Sequence, residues 1–215
     1  MTIIITNLKQ SNSDGWDNIP TTILKSNINI LAPILSNLIN KSLAIGLFPK
    51  SLKRAKILPI FRNKDKLDIT NYRPISILPV ISKVYEKVFY NRLYNYFSVK
   101  NLLSSSQFGF RSGASTEHAL LKFSDYILKL FDQNKVAIAT FMDLGKAFDC
   151  VDHNILLSKF KKYGIHETTL QWINSYLPDH EHFVSWNQSH SSLLNLHIGV
   201  APGFYSRALI VSDLH

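Results

Sequence analysis

Three aspartates in the stretch FMDLGKAFDCVDH, residues 141–153, are of a type and spacing that could do chemistry. Asp143 directly follows the apolar, β-prone run 136–142 (VAIATFM), and Asp149 and Asp152 come soon after it. A carboxylate at the open end of a buried strand, with a second acid close by, offers Mg²⁺ the hard oxygen ligands that it prefers at phosphoryl-transfer sites. The same aspartate could instead end the strand and cap the next helix. Because two-metal phosphoryl transfer needs at least two or three convergent carboxylates, spacing alone leaves both interpretations open.

The elements that must position these residues follow from hydrophobic periodicity and turn signals. Helical spacing predicts helices at about 21–45, 80–97, 116–131, 153–163 and 168–177, and Pro33 suggests that two helices share the first span. We expect strands at 54–61 and 136–142, and a hairpin formed by 181–187 and 193–199. This order of helices, strands and a final hairpin predicts an α+β fold.

The composition indicates a globular chain with an anionic partner. The chain has 215 residues, of which 46% are hydrophobic and 18% are charged, so it can bury a core. Its net charge of +9 favours nucleic acid as a partner, although an acidic membrane surface or a merely solvated basic surface would also fit. We expect the helix at 80–97 to be amphipathic and basic, with Lys83, Lys87 and Arg92 away from its apolar side.

Cysteine usage and hydropathy bear on the compartment. Cys150, the single cysteine, excludes an internal disulfide, and we expect it to be a small buried residue with no disulfide-linked partner. No apolar run reaches the length of about 18 to 20 residues that spans a bilayer, and the N-terminus lacks a signal-peptide pattern. We therefore predict an intracellular protein, nuclear or cytoplasmic, with no membrane partner.

A family resemblance is carried by several motifs in a fixed order. Residues 141–165, FMDLGKAFDCVDHNILLSKFKKYGI, resemble the first catalytic motif of the reverse transcriptases of non-LTR retrotransposons of the jockey type. The other matching stretches are DGWDNIP, LFPKSLKRAKILPIF, NYRPISILPVISKVYEKVFYNRL, QFGFRSGAST and LQWINSYL. The resemblance covers about residues 13–203 and identifies the chain as similar to the fingers and N-terminal palm of these polymerases.

The resemblance implies a right-hand polymerase architecture. It implies an N-terminal loop segment at 1–20, a fingers-like helical region with a short strand pair at 21–135, and a partial palm at 136–215. The palm sheet would be incomplete, and the hairpin would expose an edge because its partner strands in the family are missing.

The resemblance implies roles for several residues near the metal and the nucleotide. Asp143 matches the first metal-binding aspartate, for which the implied cofactor is Mg²⁺, and the carbonyl of Leu144 would be a further ligand. Phe148 matches the aromatic residue under the sugar of the incoming nucleotide, although a core phenylalanine would fit the sequence as well. For Asp149 we expect only a capping or structural role.

The implied cations of the fingers lie before and within NYRPIS. Arg73 matches the arginine that contacts the nucleotide triphosphate, a role that suits its planar fork of donors. Lys56, or else Arg62 or Lys64, would be the accompanying cation. As bare charges, such residues are more often simply solvated.

The loop QFGFRSGAST, residues 107–116, is implied to lie against the template. Gln107, Phe110 and Arg111 match positions at which an arginine can meet phosphate and an aromatic ring can stack on a base. Glycines at 109 and 113 permit unusual backbone angles, and Ser115 or Thr116 can cap the next helix.

The sequence also departs from the family pattern. Where the family continues GVPQGS, this chain has GVAPGF, so that Ala201, Pro202 and Phe204 replace proline, the nucleotide-contacting glutamine and serine. Lys64 replaces a glycine and His180 an arginine. The paired aspartates that supply the other two metal ligands do not occur after Asp143 in these 215 residues, where Asp213 better matches an earlier family position.

The function expected from the sequence therefore has two parts. By resemblance, the chain derives from an RNA-directed DNA polymerase that uses an RNA template, a DNA primer and deoxynucleotides. With one carboxylate of three, the chain itself is expected to be a truncated, inactive remnant. A noncatalytic nucleic-acid-binding protein and a poorly folded fragment remain the alternatives.

Overall fold

The computed structural model describes residues 1–10, 14–143, 150–187, 189–196 and 199. The α-helices in this part are α1 (Thr2–Thr6), α2 (Thr21–Ser26), α3 (Ile28–Ile45), α4 (Val80–Val99), α5 (Thr116–Asp132), α6 (His153–Lys162) and α7 (Glu167–Tyr176). The strands are β1 (Arg54–Phe61), β2 (Tyr72–Ile77), β3 (His180–Trp186), β4 (Ser189–His190) and β5 (Leu194–Leu196). Short 3-10 helices at Lys50–Lys53 and Ile69–Asn71 precede β1 and β2.

The strands form one small mixed sheet in the order β2-β1-β3-β4, and β5 also pairs with β3. β1 and β2 are antiparallel, with Ile60 opposite Arg73. β1 and β3 are parallel, with Arg54 opposite Glu181, and β5 runs antiparallel along the other side of β3. Mixed helices with a small mixed sheet confirm the predicted α+β class.

The core lies among the helices, with α4 at its centre. Nine residues of α4 are buried, including Val84 and Phe97, which are fully inaccessible to solvent. An aromatic cluster joins this helix to α7, since Phe89 stacks on Trp172 at a centroid distance of 4.4 Å and Phe48 meets Tyr176 edge-on at 4.8 Å. The same core includes residues on both sides of the domain boundary predicted at 135, and that boundary stays a prediction.

Most helices predicted from the sequence are confirmed. Helices α4, α5, α6 and α7 begin and end within a few residues of the predicted limits. The first span does hold two helices, but the break is at Asn27, and Pro33 lies inside α3 near its N-terminus. Gly46 and Gly164 follow α3 and α6 with φ angles of 71° and 84°, the left-handed conformation that ends helices.

The prediction of a buried strand at 136–142 is wrong. In this segment no residue belongs to a strand, and Val136, Ile138 and Met142 are each at least 88% exposed. A strand needs a hydrogen-bonded neighbour, and the sheet that forms pairs β1, β2 and the final hairpin with one another instead. The segment folds back along α5, where Phe141 meets Phe123 at 5.7 Å between ring centroids.

Three further expectations need correction. Cys150 is exposed rather than buried. The helix at 80–97 is less one-sided than predicted, because α4 is packed on most of its circumference. For the final hairpin, β1 serves as a partner strand along β3 at Arg54–Ile57, and within the described residues the open edge on that side of the sheet lies at β4 and β5.

One described helix, Ile28–Ile45, is long and apolar enough to cross a bilayer by length and composition, so the expectation that no segment reaches that length also needs correction. Ala32, Leu35 and Ile39 of this helix are buried in the protein core. A core helix meets the same criterion, so the helix is weak evidence for a membrane span.

Candidate nucleotide and nucleic-acid site

The β1–β2 hairpin gathers cationic side chains on one face. Arg73 lies opposite Ile60, and the Arg62 amide donates to the Asn71 carbonyl at 3.0 Å, which continues the antiparallel register. Because side chains on a strand alternate between faces, Arg62 and Arg73 lie on the same face as neighbours across the two strands. Both are exposed. Lys64 and Lys66 in the connecting turn are exposed as well and add to the positive charge.

Lys56 shares this face but is engaged elsewhere. Its ammonium donates to an Asp14 carboxylate oxygen at 3.3 Å, and both side chains are partly buried. It also lies four residues from Ile60 on β1, about 13 Å along the strand. Of the three cations that the sequence offered as a companion to Arg73, the register therefore places Arg62 closer than Lys56, which forms an ion pair with Asp14.

The entry loop DGWDNIP, residues 14–20, positions this hairpin. The Trp16 indole donates to the Ser51 carbonyl at 3.2 Å, and the Arg54 guanidinium lies 5.0 Å from the centre of the Trp16 ring. A Cβ at Gly15 would come within 2.9 Å of the Pro79 nitrogen, so only glycine fits there without displacement. Sequence reasoning missed these contacts because they join residues that are far apart in the chain.

The loop at 107–116 presents an aromatic side chain in a strained conformation. Phe110 is 64% exposed and has a φ of 58°, which L-residues seldom adopt. Gly113 has the predicted positive φ, at 77°, whereas Gly109 does not. Such outliers cluster at functional sites, where surrounding contacts hold them in place.

Hydrogen bonds hold this loop against α4. The Arg111 guanidinium donates to the Ser104 carbonyl at 2.7 Å, and the Ser112 amide donates to the Tyr94 hydroxyl at 3.0 Å. The Gln107 amide nitrogen donates to the Gly109 carbonyl at 3.1 Å, while its oxygen is buried and accepts no hydrogen bond in the described part of the chain. Ser115 caps α5, as predicted, by accepting from the His118 amide.

Among the described residues, Asp143 is not part of a group of potential metal ligands. It is exposed at the end of the 136–143 segment, while Leu144, Phe148 and Asp149 lie outside the described residues. Asp152 caps α6, since one carboxylate oxygen accepts from the amides of Asn154 and Ile155 at 2.8 and 3.0 Å. In the part of the chain that the structure describes, no three His, Cys, Asp or Glu side chains are grouped to hold a metal ion.

Two motifs that the sequence kept separate come together at the start of α6. The His153 ring donates through Nε2 to the Gly199 carbonyl at 2.7 Å, and the Gly199 amide donates to the Val151 carbonyl at 3.2 Å. The GVAPGF segment therefore begins beside the end of FMDLGKAFDCVDH. Ala201, Pro202, Phe204 and Asp213 are outside the described residues.

Two buried basic side chains donate hydrogen bonds to carbonyls at the C-terminal end of α7. The Lys53 ammonium donates to the carbonyls of Ser175 and Pro178, and burial lowers the pKa of Lys53. The His180 ring donates through Nε2 to the Tyr176 carbonyl at 2.9 Å. Burial, with the Lys53 charge nearby, lowers the pKa of His180 from 6.5 to about 4. These groups satisfy helix carbonyls and have a structural role.

Comparison with known proteins shows which family this chain belongs to. The family model "Reverse transcriptase (RNA-dependent DNA polymerase)" matches residues 62–203, about two thirds of the chain. The chain belongs to the reverse transcriptase family. This confirms the family resemblance stated from the motifs, and the match includes Arg62, Arg73, the loop at 107–116 and Asp143.

Individual reverse transcriptases of Drosophila melanogaster mobile elements are similar to most of the chain. It is 34% identical over 97% of its length to a probable RNA-directed DNA polymerase from transposon BS, of which it covers 23%. It is 32% identical over 79% of its length to the RNA-directed DNA polymerase from mobile element jockey, of which it covers 18%. The chain thus spans about a fifth of the length of these relatives.

Reverse transcriptases in general use divalent metal ions, nucleotides and nucleic acid. The described residues of this chain do not form a two-metal centre, because no three His, Cys, Asp or Glu side chains among them are grouped. The cationic face of the hairpin and the strained loop do have the charge and the aromatic surface that nucleotides and nucleic acid require.

Proposed function

We propose that this chain supplies the fingers and the N-terminal palm of a non-LTR retrotransposon reverse transcriptase, with the fingers at 21–135 and the first part of the palm at 136–215. Its partners would be an RNA template, a DNA primer and deoxynucleotides, inside the cell in the nucleus or cytoplasm and without a membrane. The observation that carries the proposal is that Arg62 and Arg73, both within the residues that the family model matches, lie exposed on the same face of the β1–β2 hairpin.

The two arginines would bind the triphosphate of the incoming nucleotide. A guanidinium offers planar, paired donors that match phosphate oxygens, and two of them side by side can neutralise much of the triphosphate charge. Lys56 would hold the entry loop through Asp14 rather than contact the nucleotide. This assignment selects Arg62 from the three companions that the sequence left open.

The loop at 107–116 would contact the template. The exposed Phe110 ring can stack on a base, and stacking on an aromatic ring contributes about 1 to 3 kcal/mol per base. Arg111 would need only to exchange its bond to the Ser104 carbonyl for a backbone phosphate, and Gln107 would keep the loop shaped by its bond to Gly109.

The chemistry of the intact enzyme would be attack of the primer 3′-hydroxyl on the α-phosphate of the deoxynucleotide, with release of pyrophosphate. Asp143 and the Leu144 carbonyl would contribute to the Mg²⁺ site, and Phe148 would lie under the sugar. The 215-residue chain brings one of the three carboxylates and carries Pro202 and Phe204 in the nucleotide-contacting motif. We therefore expect it to bind its substrates and not to join them.

Binding can be measured by the fluorescence anisotropy of a labelled RNA–DNA primer–template with the purified chain. We expect affinity that falls steeply with salt, because phosphate contacts release counterions. Phe110→Ala should weaken binding about tenfold, whereas Lys41→Gln, an exposed change on α3, should not. Absent or salt-independent binding would contradict the proposal.

Catalysis by the chain itself is tested separately by primer extension with Mg²⁺ or Mn²⁺. We expect no incorporation above that of an Asp143→Ala variant of the same chain. Incorporation that depends on Asp143 would show that the chain completes a metal site, and the inactive part of the proposal would then be wrong.

A further inference from the structure

The β1–β2 hairpin has an aromatic face on the side opposite its cationic face. Phe61 lies directly across from Tyr72 in the antiparallel register, and each precedes or follows the cationic face by one residue, so both side chains lie on the other side of the hairpin. β3 extends this face, because Val184 lies beside Ile57 in the parallel register and side-chain alternation puts Trp186 on the same side as Phe61. The rings of Phe61, Tyr72 and Trp186 form a row across the sheet, which we call the aromatic platform.

Contacts between the rings hold the platform in place, and a lysine gives it charge. The Tyr72 ring lies 5.4 Å from the Phe61 ring and meets the Trp186 ring edge-on at 5.8 Å, measured between centroids. The Tyr72 hydroxyl donates to the Lys66 carbonyl at 3.0 Å, and the Lys66 ammonium lies 5.8 Å from the centre of the Phe61 ring. Trp186 is 49% exposed, and the other two rings are partly exposed. The platform therefore presents positioned aromatic surface beside a cation.

We propose that the aromatic platform binds single-stranded nucleic acid by stacking on unpaired bases, with the Trp186 indole as the main stacking surface. Every base has a face that can stack on an aromatic ring, but only an unpaired base can be turned onto one, which selects a single strand over a duplex. The platform lies on the side of the hairpin away from the nucleotide contacts proposed above and is separate from the loop at 107–116. The inference therefore goes beyond the proposed function and can stand or fail without it.

The charge beside the platform favours a polyanion over an apolar protein partner. The turn between β1 and β2 carries three exposed cations, Arg62, Lys64 and Lys66. Its two acids, Asp65 and Asp68, each accept a hydrogen bond at 2.9 Å from the backbone amide two residues further on, so they serve the turn itself. A single strand places a phosphate near every stacked base, and a cation beside the ring can pair with it.

Tryptophan fluorescence tests the stacking. Addition of oligo(U) of about 12 nucleotides to the purified chain should quench the emission of Trp186, because a base would lie against the indole. In Trp186→Phe the quenching should be lost while affinity falls by less than about threefold, since phenylalanine keeps a ring, whereas Trp186→Ala should weaken binding about tenfold by anisotropy. Leu38→Ala, which shortens an equally exposed side chain on α3, is the matched control and should leave affinity unchanged.

The salt dependence of binding tests the cation. Lys66→Gln should reduce the slope of log affinity against log salt concentration by about 0.7, as expected for one phosphate contact on a single strand, and Lys41→Gln should not. Quenching that persists in Phe110→Ala would assign the stacking to the platform rather than to the loop at 107–116.

Three results would overturn the proposal. The first is oligo(U) binding by Trp186→Ala that is as strong as that of the parent chain. The second is equal quenching in the parent chain and in Trp186→Phe, which retains the packing of the hairpin. The third is quenching by a proline-rich peptide but not by oligo(U), which would assign the platform to protein recognition.

Discussion

At the residue scale, position 15 requires glycine because the backbone of Pro79 packs closely against it. A Cβ there would lie 2.9 Å from the Pro79 nitrogen, and backbone atoms cannot move aside as a flexible side chain can. We expect Gly15→Ala to lower the free energy of unfolding by about 1 to 3 kcal/mol, as overpacking does. Gly109→Ala is the control, since nothing lies within 4 Å of its Cβ position. Urea denaturation of both variants measures the difference, and equal loss at the two sites would contradict this account.

Lys64 shows the opposite situation, in which a side chain occupies a position suited to glycine. Its φ is 71°, a left-handed conformation that glycine adopts most readily. Lys64→Gly should raise the free energy of unfolding by about 0.5 to 1 kcal/mol, because glycine adopts this conformation without steric cost. Lys66→Gly, in the same turn but without a positive φ, should give no gain. If thermal denaturation shows that Lys64→Gly is less stable than the parent chain, the lysine side chain stabilises the fold by more than its strained backbone destabilises it.

His180 gives the folded chain a pH dependence. Its pKa in the folded chain is about 4, below the ordinary 6.5, so protonation favours the unfolded state. The stability contributed by neutral His180 is fully present above pH 6.5 and is lost as the pH falls toward 4, by an amount on the order of 3 kcal/mol. Burial lowers the pKa of His182 too and acts in the same direction.

Replacement of His180 checks the size of that contribution. His180→Gln retains a donor for the Tyr176 carbonyl and should flatten the decline in unfolding free energy between pH 6.5 and 4. The exposed His166→Gln variant should keep the decline seen in the parent chain. If urea titrations at several pH values give the same slope for His180→Gln and the parent, His180 is not the source.

At the element scale, the aspartate that ends FMDLGKAFDCVD serves a helix. Asp152 accepts from two amides at the N-terminus of α6, so Asp152→Ala should cost about 1 kcal/mol of stability. Asp152→Asn should cost little, because asparagine is an equally good cap. Thermal denaturation distinguishes the two variants. A comparable loss in both would mean that the negative charge, rather than the capping hydrogen bond, stabilises the helix.

Elements defined by local signals could be predicted from the sequence, and those defined by distant partners could not. The periodicity that predicts α4 and the glycine that ends α6 act within a few residues. β2 is absent from the strands that the sequence predicts, yet it forms as an edge strand, with Pro74 inside it, because β1 pairs along it. Segment 136–142 has strand composition but lacks a strand partner in the described chain, which composition cannot reveal.

The candidate site shows the same limit. The family match at 62–203 includes Arg73 and the loop at 107–116, and the roles that the motifs imply for them stay predictions. The motifs could not decide whether Lys56 or Arg62 accompanies Arg73. Lys56 forms an ion pair with Asp14, which lies 42 residues away in the sequence. The motifs also placed Asp143 on a buried strand that the described fold does not form.

At the scale of the whole molecule, the chain combines a helical core with two surface features, the cationic face of the β1–β2 hairpin and the loop at 107–116, that we propose contact nucleotide and template. The core of α3, α4, α6 and α7 holds the hairpin through the entry loop and holds the loop at 107–116 through Tyr94. A rigid core with exposed arginines and an exposed aromatic ring suits binding, and catalysis would need further carboxylates beside Asp143. The central claim is therefore one of location: substrate should contact these two surface features.

Hydrogen–deuterium exchange with and without an RNA–DNA primer–template and a deoxynucleotide tests that claim most directly. We predict slower exchange of the amides at 62–71 and 104–115 when substrate is present, and unchanged exchange along α3. Unchanged exchange at both surface features, or protection confined to other parts of the chain, would contradict the account.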